Sequence, residues 1–193
     1  FPITRGAFQT AFQGGTSDAF VSRLDPNKSG AAQLLYSTYL GGRAFESAFA
    51  LGVQPNGVVT LAGWTGSPDF PTTPDAFDTT HGGGTVKKSD AFVTRLDPRK
   101  ASAAQLVYST FMGGSADDFA WMLALDPSGV ATVLGATTSA NFRVTSGAFD
   151  TTHHGLHDAT LRRPDMGIAL WADAQPIQMP TGGTHRPAPE SGV

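Results

Sequence analysis

The chain is built from tandem copies of one sequence unit that returns after about 70 residues. Residues 17–42 return as residues 89–114, and 19 of the 26 aligned positions are identical. A second marker, Gly/Asp-Ala-Phe-Gln/Asp-Thr, occurs three times, at 6–10, 75–79 and 147–151. A repeat of this length means that each copy is one supersecondary unit, which buries its apolar surface only when neighbouring copies stack on it.

Each unit predicts four β-strands. Apolar runs at 48–54 and 58–64 flank a Pro-Asn-Gly turn, in which proline presets the first dihedral angle and glycine accepts a positive φ. Residues 19–24 and 34–40, repeated at 91–96 and 106–112, are rich in the aromatic and β-branched residues that favour strands. Residues 44–51 and their copy 117–125 also have helical propensity, but the turn that follows directly favours a hairpin.

Four strands per tandem unit predict an all-β fold made of antiparallel β-propeller blades. The expected domain at 1–158 holds a partial blade at 1–42, a full blade at 46–112 and a partial blade at 117–158. Two to three blades fall short of the roughly four to eight that close a ring. We therefore expect a partial or open propeller, which is either part of a longer one or a unit that self-associates. Residues 159–193 lose the repeat and are expected to form a flexible tail.

Composition narrows the classes of function. The formal net charge of -3 and the pI of 5.9 argue against nucleic-acid binding. No apolar run approaches the roughly 20 residues that span a bilayer, so membrane insertion is not expected. The absence of cysteine excludes disulfides and thiolate metal sites, while 13 Phe, 3 Trp and 3 Tyr supply large groups for a core.

Four motifs in fixed order resemble the bacterial SBBP repeat. They are Asp-Phe-Pro-Thr-Thr-Pro-Asp-Ala-Phe at 69–77, Ser-Asp-Ala-Phe-Val-Thr-Arg-Leu-Asp-Pro at 89–98, Leu-Val-Tyr-Ser-Thr-Phe-Met-Gly-Gly at 106–114 and Ala-Leu-Asp-Pro-Ser-Gly at 124–129. The resemblance covers residues 1 to about 159, with a departure where 43–46 and 115–118 differ. It implies a seven-bladed β-propeller repeat in large secreted or cell-surface bacterial proteins, which often carry adhesion modules. It transfers no catalytic residue.

Metal chemistry has two candidate segments. The run His153-His154-Gly155-Leu156-His157-Asp158 contains metal-ligand residue types, but His153 aligns with His81 after the same Thr-Thr pair, which favours a solvated loop. Calcium is the possible cofactor, at Asp117-Asp118 or 126–129. Both segments are sparse compared with a calcium loop, and Pro127 explains the second as a turn.

The remaining candidates are aromatic and acidic side chains. Trp64, at a strand end, is expected to be exposed and able to stack on a sugar, whereas Trp121, inside a strand, is expected in the core. Arg23 and Arg95 are expected to brace neighbouring blades or turn carboxylates. No nucleophile motif is present, although Asp69, Asp75, Asp78 and Asp90 are candidates for a catalytic carboxylate pair. The residues expected to contact a ligand are Trp64, Asp69, Asp75, His81 and His153.

Together these features predict a non-catalytic scaffold of an extracellular or cell-surface bacterial protein. Its loops at 65–88 and 138–157 would bind a protein or polysaccharide partner, and further partners would be the rest of a larger propeller or a second copy. The alternative is a hydrolase or lactonase whose site needs the complete ring. A purely architectural spacer is a third hypothesis.

Overall fold

The computed structural model describes residues 1–83 and 89–154, together with the backbone of two short strands beyond them. These residues form an all-β fold. Its strands, in chain order, are β1 Ala19–Leu24, β2 Leu34–Leu40, β3 Glu46–Val53, β4 Val59–Thr65, β5 Asp90–Leu96, β6 Leu106–Met112, β7 Asp118–Leu125, β8 Ala131–Thr137, β9 Asp158–Arg162 and β10 Ile168–Leu170. Two single-turn 3₁₀ helices, Gly30–Gln33 and Ser102–Gln105, lead into β2 and β6.

The strands form three antiparallel sheets, each with its strands in chain order. The first sheet is β1-β2, the second β3-β4-β5-β6 and the third β7-β8-β9-β10. We call them blade 1, blade 2 and blade 3. The prediction of four-stranded antiparallel blades in a partial, open propeller is thus confirmed. Among the residues that the structure describes, blade 1 holds the last two strands of the repeat, because β1 and β2 correspond to β5 and β6.

The segment with helical propensity is a strand. Residues 46–53 pair with Val59–Thr65 across a tight turn, in which Gly57 N donates to Gln54 O at 2.8 Å. Gly57 has a φ of +85° and its copy Gly129 a φ of +89°, a region that favours glycine over residues with a side chain. The turn therefore overrides helical propensity in both copies.

Blade 3 extends further along the chain than the repeat can be followed in the sequence. The backbone of β9 pairs with β8 from Thr137↔Asp158 to Val133↔Arg162, and β10 pairs with β9. The boundary placed at residue 158 therefore falls at the first residue of a strand. The rest of the predicted tail, residues 163–167 and 171–193, lies outside the described residues.

The core consists of two layers between blades. The first layer joins blades 1 and 2, and the second joins blades 2 and 3, so blade 2 packs against a neighbour on each face. Nearly every residue of β4 and β5 is buried as a result. The first layer contains Ala19, Val21, Tyr36, Leu40, Val59, Leu61, Phe70, Phe92, Leu96 and Phe111; the second contains Ala62, Ala91, Val93, Met112, Ala120, Ala131 and Val133.

Candidate functional site: an aromatic shelf across two blades

Four aromatic rings form a cluster that crosses from blade 2 to blade 3. We call it the aromatic shelf; its members are Phe49, Trp64, Phe119 and Trp121. The Phe49 and Trp64 rings stack with centroids 4.0 Å apart, and the Trp64 and Trp121 rings meet edge to face at 5.0 Å. Phe119 lies 5.1 Å from Trp64 and 5.6 Å from Trp121. These are the separations at which aromatic pairs attract one another.

Two β-bulges present the outer rings of the shelf to solvent. The pairing of β3 with β4 shifts register between Ala48 and Ala50, and that of β7 with β8 shifts between Ala120 and Met122. The extra residue in each bulge is Phe49 or Trp121, and bulges re-aim side chains in this way. Phe49 is 51% exposed and Trp121 43% exposed. The prediction that Trp121 packs in the core is therefore wrong, because a bulge breaks the alternation on which it relied.

Trp64 is half-buried and anchors the shelf. It lies within β4 opposite Ser47 and Ala91, with three other rings around it. Its predicted exposure is thus only partial, since its neighbours in the shelf cover part of the ring. The ring surface that solvent reaches most freely belongs to Phe49 and Trp121.

A pair of acidic side chains lies at each junction between blades. We call them the junction carboxylates: Asp18 with Glu46, and their copies Asp90 with Asp118. Both members of a pair approach the same glycine. A Cβ on Gly113 would stand 2.8 Å from Asp90 Oδ1 and 2.9 Å from Asp118 Oδ2. A Cβ on the equivalent Gly41 would stand 2.7 Å from Asp18 Oδ1 and 2.6 Å from Glu46 Oε2.

Hydrogen bonds to the backbone and to hydroxyls hold the junction carboxylates. Asp118 Oδ2 accepts from Gly114 N and from the Ser139 hydroxyl, both at 2.8 Å. Glu46 accepts from Gly42 N at 3.0 Å and from the Thr65 hydroxyl at 2.6 Å. Asp90 Oδ2 accepts from Gly82 N at 2.7 Å. Within the described residues, Oδ1 of Asp90 and Oδ1 of Asp118 are buried without a hydrogen-bond partner.

Burial raises the pKa of every junction carboxylate. The pKa of Asp90 rises to about 6; the neighbouring Asp118 adds to the rise, while the Gly82 N–H and the nearby His81 ring oppose it. The pKa values of Asp18, Glu46 and Asp118 rise for the same main reason, the loss of hydration. Asp90 and Asp118 are only 1% and 0% exposed, so a solute outside the protein does not reach them.

The predicted ligand contacts are dispersed. Asp69 Oδ1 accepts from Arg43 N at 3.0 Å, and its side chain pairs with the exposed Arg43 guanidinium. His81 Nε2 lies 3.2 Å from Thr65 O, beside Trp64 in the chain, and its ring meets Phe111 edge to face. Asp75 lines a separate cleft, and His153 is half-buried in the loop after β8. Only Trp64 belongs to the shelf.

The predicted metal segments have other partners in the structure. His154 Nε2 lies 2.9 Å from Asp150 Oδ2, and His157 lies outside the described residues. Asp117 Oδ1 accepts from Ser89 N, and Asp126 Oδ1 caps its own turn by accepting from Ser128 N and Val130 N. In the described ranges, no three His, Asp or Glu side chains converge as a metal site requires.

Related clefts lie between successive blades at the end of the sheets where the β-hairpins turn. The larger, about 390 Å³, is lined by Asp75, Phe77, Arg95 and Tyr108 among others; the smaller, about 220 Å³, is lined by their blade 1 copies Arg23 and Tyr36 and by the β3–β4 turn. Arg95 Nη2 donates to Gln54 Oε1 at 2.6 Å, and Gln54 Nε2 donates to Ser128 O in blade 3 at 3.4 Å. Arg95 therefore reaches blade 3 through Gln54 of its own blade, so the predicted bracing of neighbouring blades by Arg95 is indirect.

Two members of the shelf, Phe49 and Phe119, and two junction carboxylates, Asp18 and Glu46, were not predicted from the sequence. A ring inside an apolar strand is ordinarily core, so the sequence around Phe49 and Phe119 gives no sign of their place. Glu46 did carry a signal, because it follows a Gly-Gly pair by the same spacing as Asp118.

Comparison with known proteins does not extend these observations. No protein-family model matches the chain, and no curated protein matches it. Within the part of the chain that the structure describes, no helix has the length and apolar character needed to cross a membrane.

Proposed function

We propose that this chain is a non-catalytic β-propeller segment of the SBBP type, from a secreted or cell-surface bacterial protein, and that it binds a polysaccharide on the aromatic shelf. The observation that carries the proposal is the exposure of the Phe49 and Trp121 rings on a cluster that joins two blades. Exposed apolar patches of this kind on a soluble domain mark interaction sites.

The chemistry of the shelf favours a sugar over a charged partner. The apolar face of a pyranose ring stacks on an indole or a phenyl ring. The four rings of the shelf are held by β-strands, so no flexible loop has to become ordered when a sugar binds. The formal net charge of -3 favours a neutral polysaccharide over an acidic one. A protein partner with an apolar contact surface is the second candidate for the same rings.

The junction carboxylates support a non-catalytic role over a hydrolase or lactonase. A general acid must lie within hydrogen-bond reach of the bond it protonates. Glu46, Asp90 and Asp118 are at most 2% exposed, and their hydrogen bonds go to the chain itself. Their raised pKa values follow from burial between blades and need no catalytic role to explain them.

Affinity electrophoresis tests the proposal, with soluble neutral polysaccharides cast in a native gel. We expect the wild-type chain to be retarded by at least one of them and Trp121→Ala to migrate as in the empty gel. Phe149→Ala is the matched control, since Phe149 is 80% exposed but not part of the shelf. Equal retardation of wild type and Trp121→Ala, or no retardation of either, would show that the shelf does not bind polysaccharide.

A further inference from the structure

One edge of blade 1 and one stripe of blade 2 lack the cover that their copies have. In blade 2, β5 pairs with β4 from Thr65↔Asp90 to Val59↔Leu96 as well as with β6. In blade 1, among the described residues, the equivalent strand β1 pairs along its length with β2 alone. Beside this edge, Leu51 and Val53 of β3 are 54% and 59% exposed. We call the β1 edge and these two side chains the hairpin slot.

The junction between blades 2 and 3 indicates what fits the slot. Leu123 and Leu125 are the blade 3 copies of Leu51 and Val53, and they pack against blade 2 at Gly52. A Cβ on Gly52 would stand 2.7 Å from Leu125 Cδ1 and 2.9 Å from Leu123 Cδ2. The slot therefore fits a hairpin of the β3–β4 type that presents a small residue to Leu51 and Val53.

The same chain carries such a hairpin with its complementary face exposed. In β7 and β8, Met122, Ala124 and Leu134 are the copies of Ala50, Gly52 and Ala62, which blade 3 covers in blade 2. Met122 is 63% exposed, Leu134 is 38% exposed and Ala124 is exposed as well. The two halves of one inter-blade contact thus lie uncovered at opposite ends of the blade stack.

We propose that the β7–β8 hairpin of a second copy fills the hairpin slot, with β8 exchanging β9 for β1 as its neighbour. The exchange is favoured by sequence, because the six residues of β1 match residues 91–96 of β5 at five positions, while β9 departs from that pattern. The number of paired positions also favours the exchange. β8 pairs with β9 at five positions, whereas its copy β4 pairs with β5 at seven, so β8 has a shorter partner to give up. This contact is head-to-tail and exchanges identical elements, as in domain swapping.

Over the described residues, the exchange completes blade 1 of each copy with the hairpin of the next copy. Each copy then holds two complete blades, blade 1 with its new hairpin and blade 2. The inference does not depend on polysaccharide binding, because the shelf and the slot are separate surfaces.

Disulfide trapping tests the contact directly, since the chain has no cysteine. By analogy with the Gly52–Leu125 contact, Ala124→Cys in one copy should meet Val53→Cys in another. We expect mild oxidation of the mixed variants to give a reducible dimer at several-fold higher yield than either variant alone. Val107→Cys, 38% exposed on β6 and outside the hairpin slot, replaces Ala124→Cys in the control mixture. A yield equal to that control would overturn the proposal.

Molar mass by light scattering gives an independent readout of the same contact. We expect wild type to be larger than one chain, and Leu51→Glu and Leu134→Glu each to be monomeric with unchanged circular dichroism. Leu51→Glu disrupts only the slot, and Leu134→Glu disrupts only the hairpin. When the two variants are mixed, the intact hairpin of Leu51→Glu can bind the intact slot of Leu134→Glu, so we expect a dimer. A monomeric wild type, or an oligomer that persists in both variants, would contradict the exchange.

Discussion

Asp90 and Asp118 belong to neighbouring blades, yet their carboxylates meet at Gly113, on which a Cβ would stand within 3 Å of both. Both side chains are buried, and each keeps one oxygen without a hydrogen-bond partner within the described residues. Asp18 and Glu46 repeat the arrangement at Gly41. Two acids buried against the same glycine do not both ionise readily, so the stability of the junction between blades depends on pH.

The first prediction concerns Asp90→Asn. The native pKa of Asp90 is about 6 against an ordinary value of 3.8, so between these values the native state binds more protons than the unfolded chain. Its contribution to stability is therefore present at low pH and lost as pH rises through 6. The amide removes this loss while still accepting from Gly82 N. We expect Asp90→Asn to increase the free energy of unfolding at pH 8 by about 1–3 kcal/mol, measured by urea denaturation.

The comparison with wild type must be made across pH. Asp97 titrates in the opposite sense, because the Arg99 side chain lowers its pKa to about 2, while the other junction carboxylates titrate in the same sense as Asp90. The wild-type curve alone therefore mixes several effects. The difference between the two proteins should appear between pH 4 and 6 and stay constant above that range. Asp69→Asn, at an exposed ion pair, is the control and should change little. A destabilised Asp90→Asn at pH 8 would contradict the assignment.

The second prediction concerns the glycine between the acids. In Gly113→Ala the new methyl group meets Asp90 Cγ at 2.6 Å, so the carboxylates or the two blades must move apart. We expect a loss of about 1–3 kcal/mol in the free energy of unfolding. Gly30→Ala is the control. Gly30 has a φ of +56° and open space around it, so its substitution costs only the backbone strain of a side chain at positive φ, roughly 1 kcal/mol of the free energy of unfolding. Equal losses in the two variants would mean that the junction tolerates the methyl group.

Much of the fold follows from the sequence because the repeat fixes it. The repeat at 17–42 and 89–114 predicts β1, β2 and β6 at their observed bounds and begins β5 one residue late, since alternation and turn residues agree in both copies. The position of β4 was one residue early. The alternation of apolar and polar residues does not predict a β-bulge, because a bulge depends on how two strands adjust their pairing. Phe49 and Trp121 are exposed because each is the extra residue of a bulge.

The junctions between blades were less predictable than the blades themselves. Gln33 and Gln105 occupy the same place in identical Ala-Ala-Gln motifs, yet Gln33 is not buried and Gln105 is only 2% exposed. The difference arises because Gln105 has a preceding blade to contact. The Ala-Ala-Gln motif itself does not show whether a neighbouring blade will cover it. In the same way, the local sequence does not show that Leu51 is exposed while its copy Leu123 is partly buried.

The third prediction uses this pair of glutamines. Gln105 Oε1 accepts from the Tyr36 hydroxyl of blade 1 at 2.8 Å, and Gln105 Nε2 donates to Gly6 O at 2.6 Å. Gln105→Ala leaves a buried hydroxyl and a carbonyl without these partners, so we expect a loss of about 1–3 kcal/mol in the free energy of unfolding. Gln33→Ala, which removes only a bond to Lys28 O near the surface, should cost less than about 1 kcal/mol. Chemical denaturation of both variants decides the matter; a similar cost would mean that Gln105 does not join the blades.

The fourth prediction concerns the two indoles of the aromatic shelf. Trp64 and Trp121 lie 5.0 Å apart at an interplanar angle of 73°, close enough for their electronic transitions to couple. Coupled chromophores give a pair of circular dichroism bands of opposite sign in the far ultraviolet. We expect this pair in wild type and its loss in both Trp64→Phe and Trp121→Phe, because either substitution removes one chromophore. Phe49→Leu, which keeps both indoles and an apolar side chain, should retain it. Loss of the bands in only one tryptophan variant would place the two indoles apart and the shelf in a different arrangement.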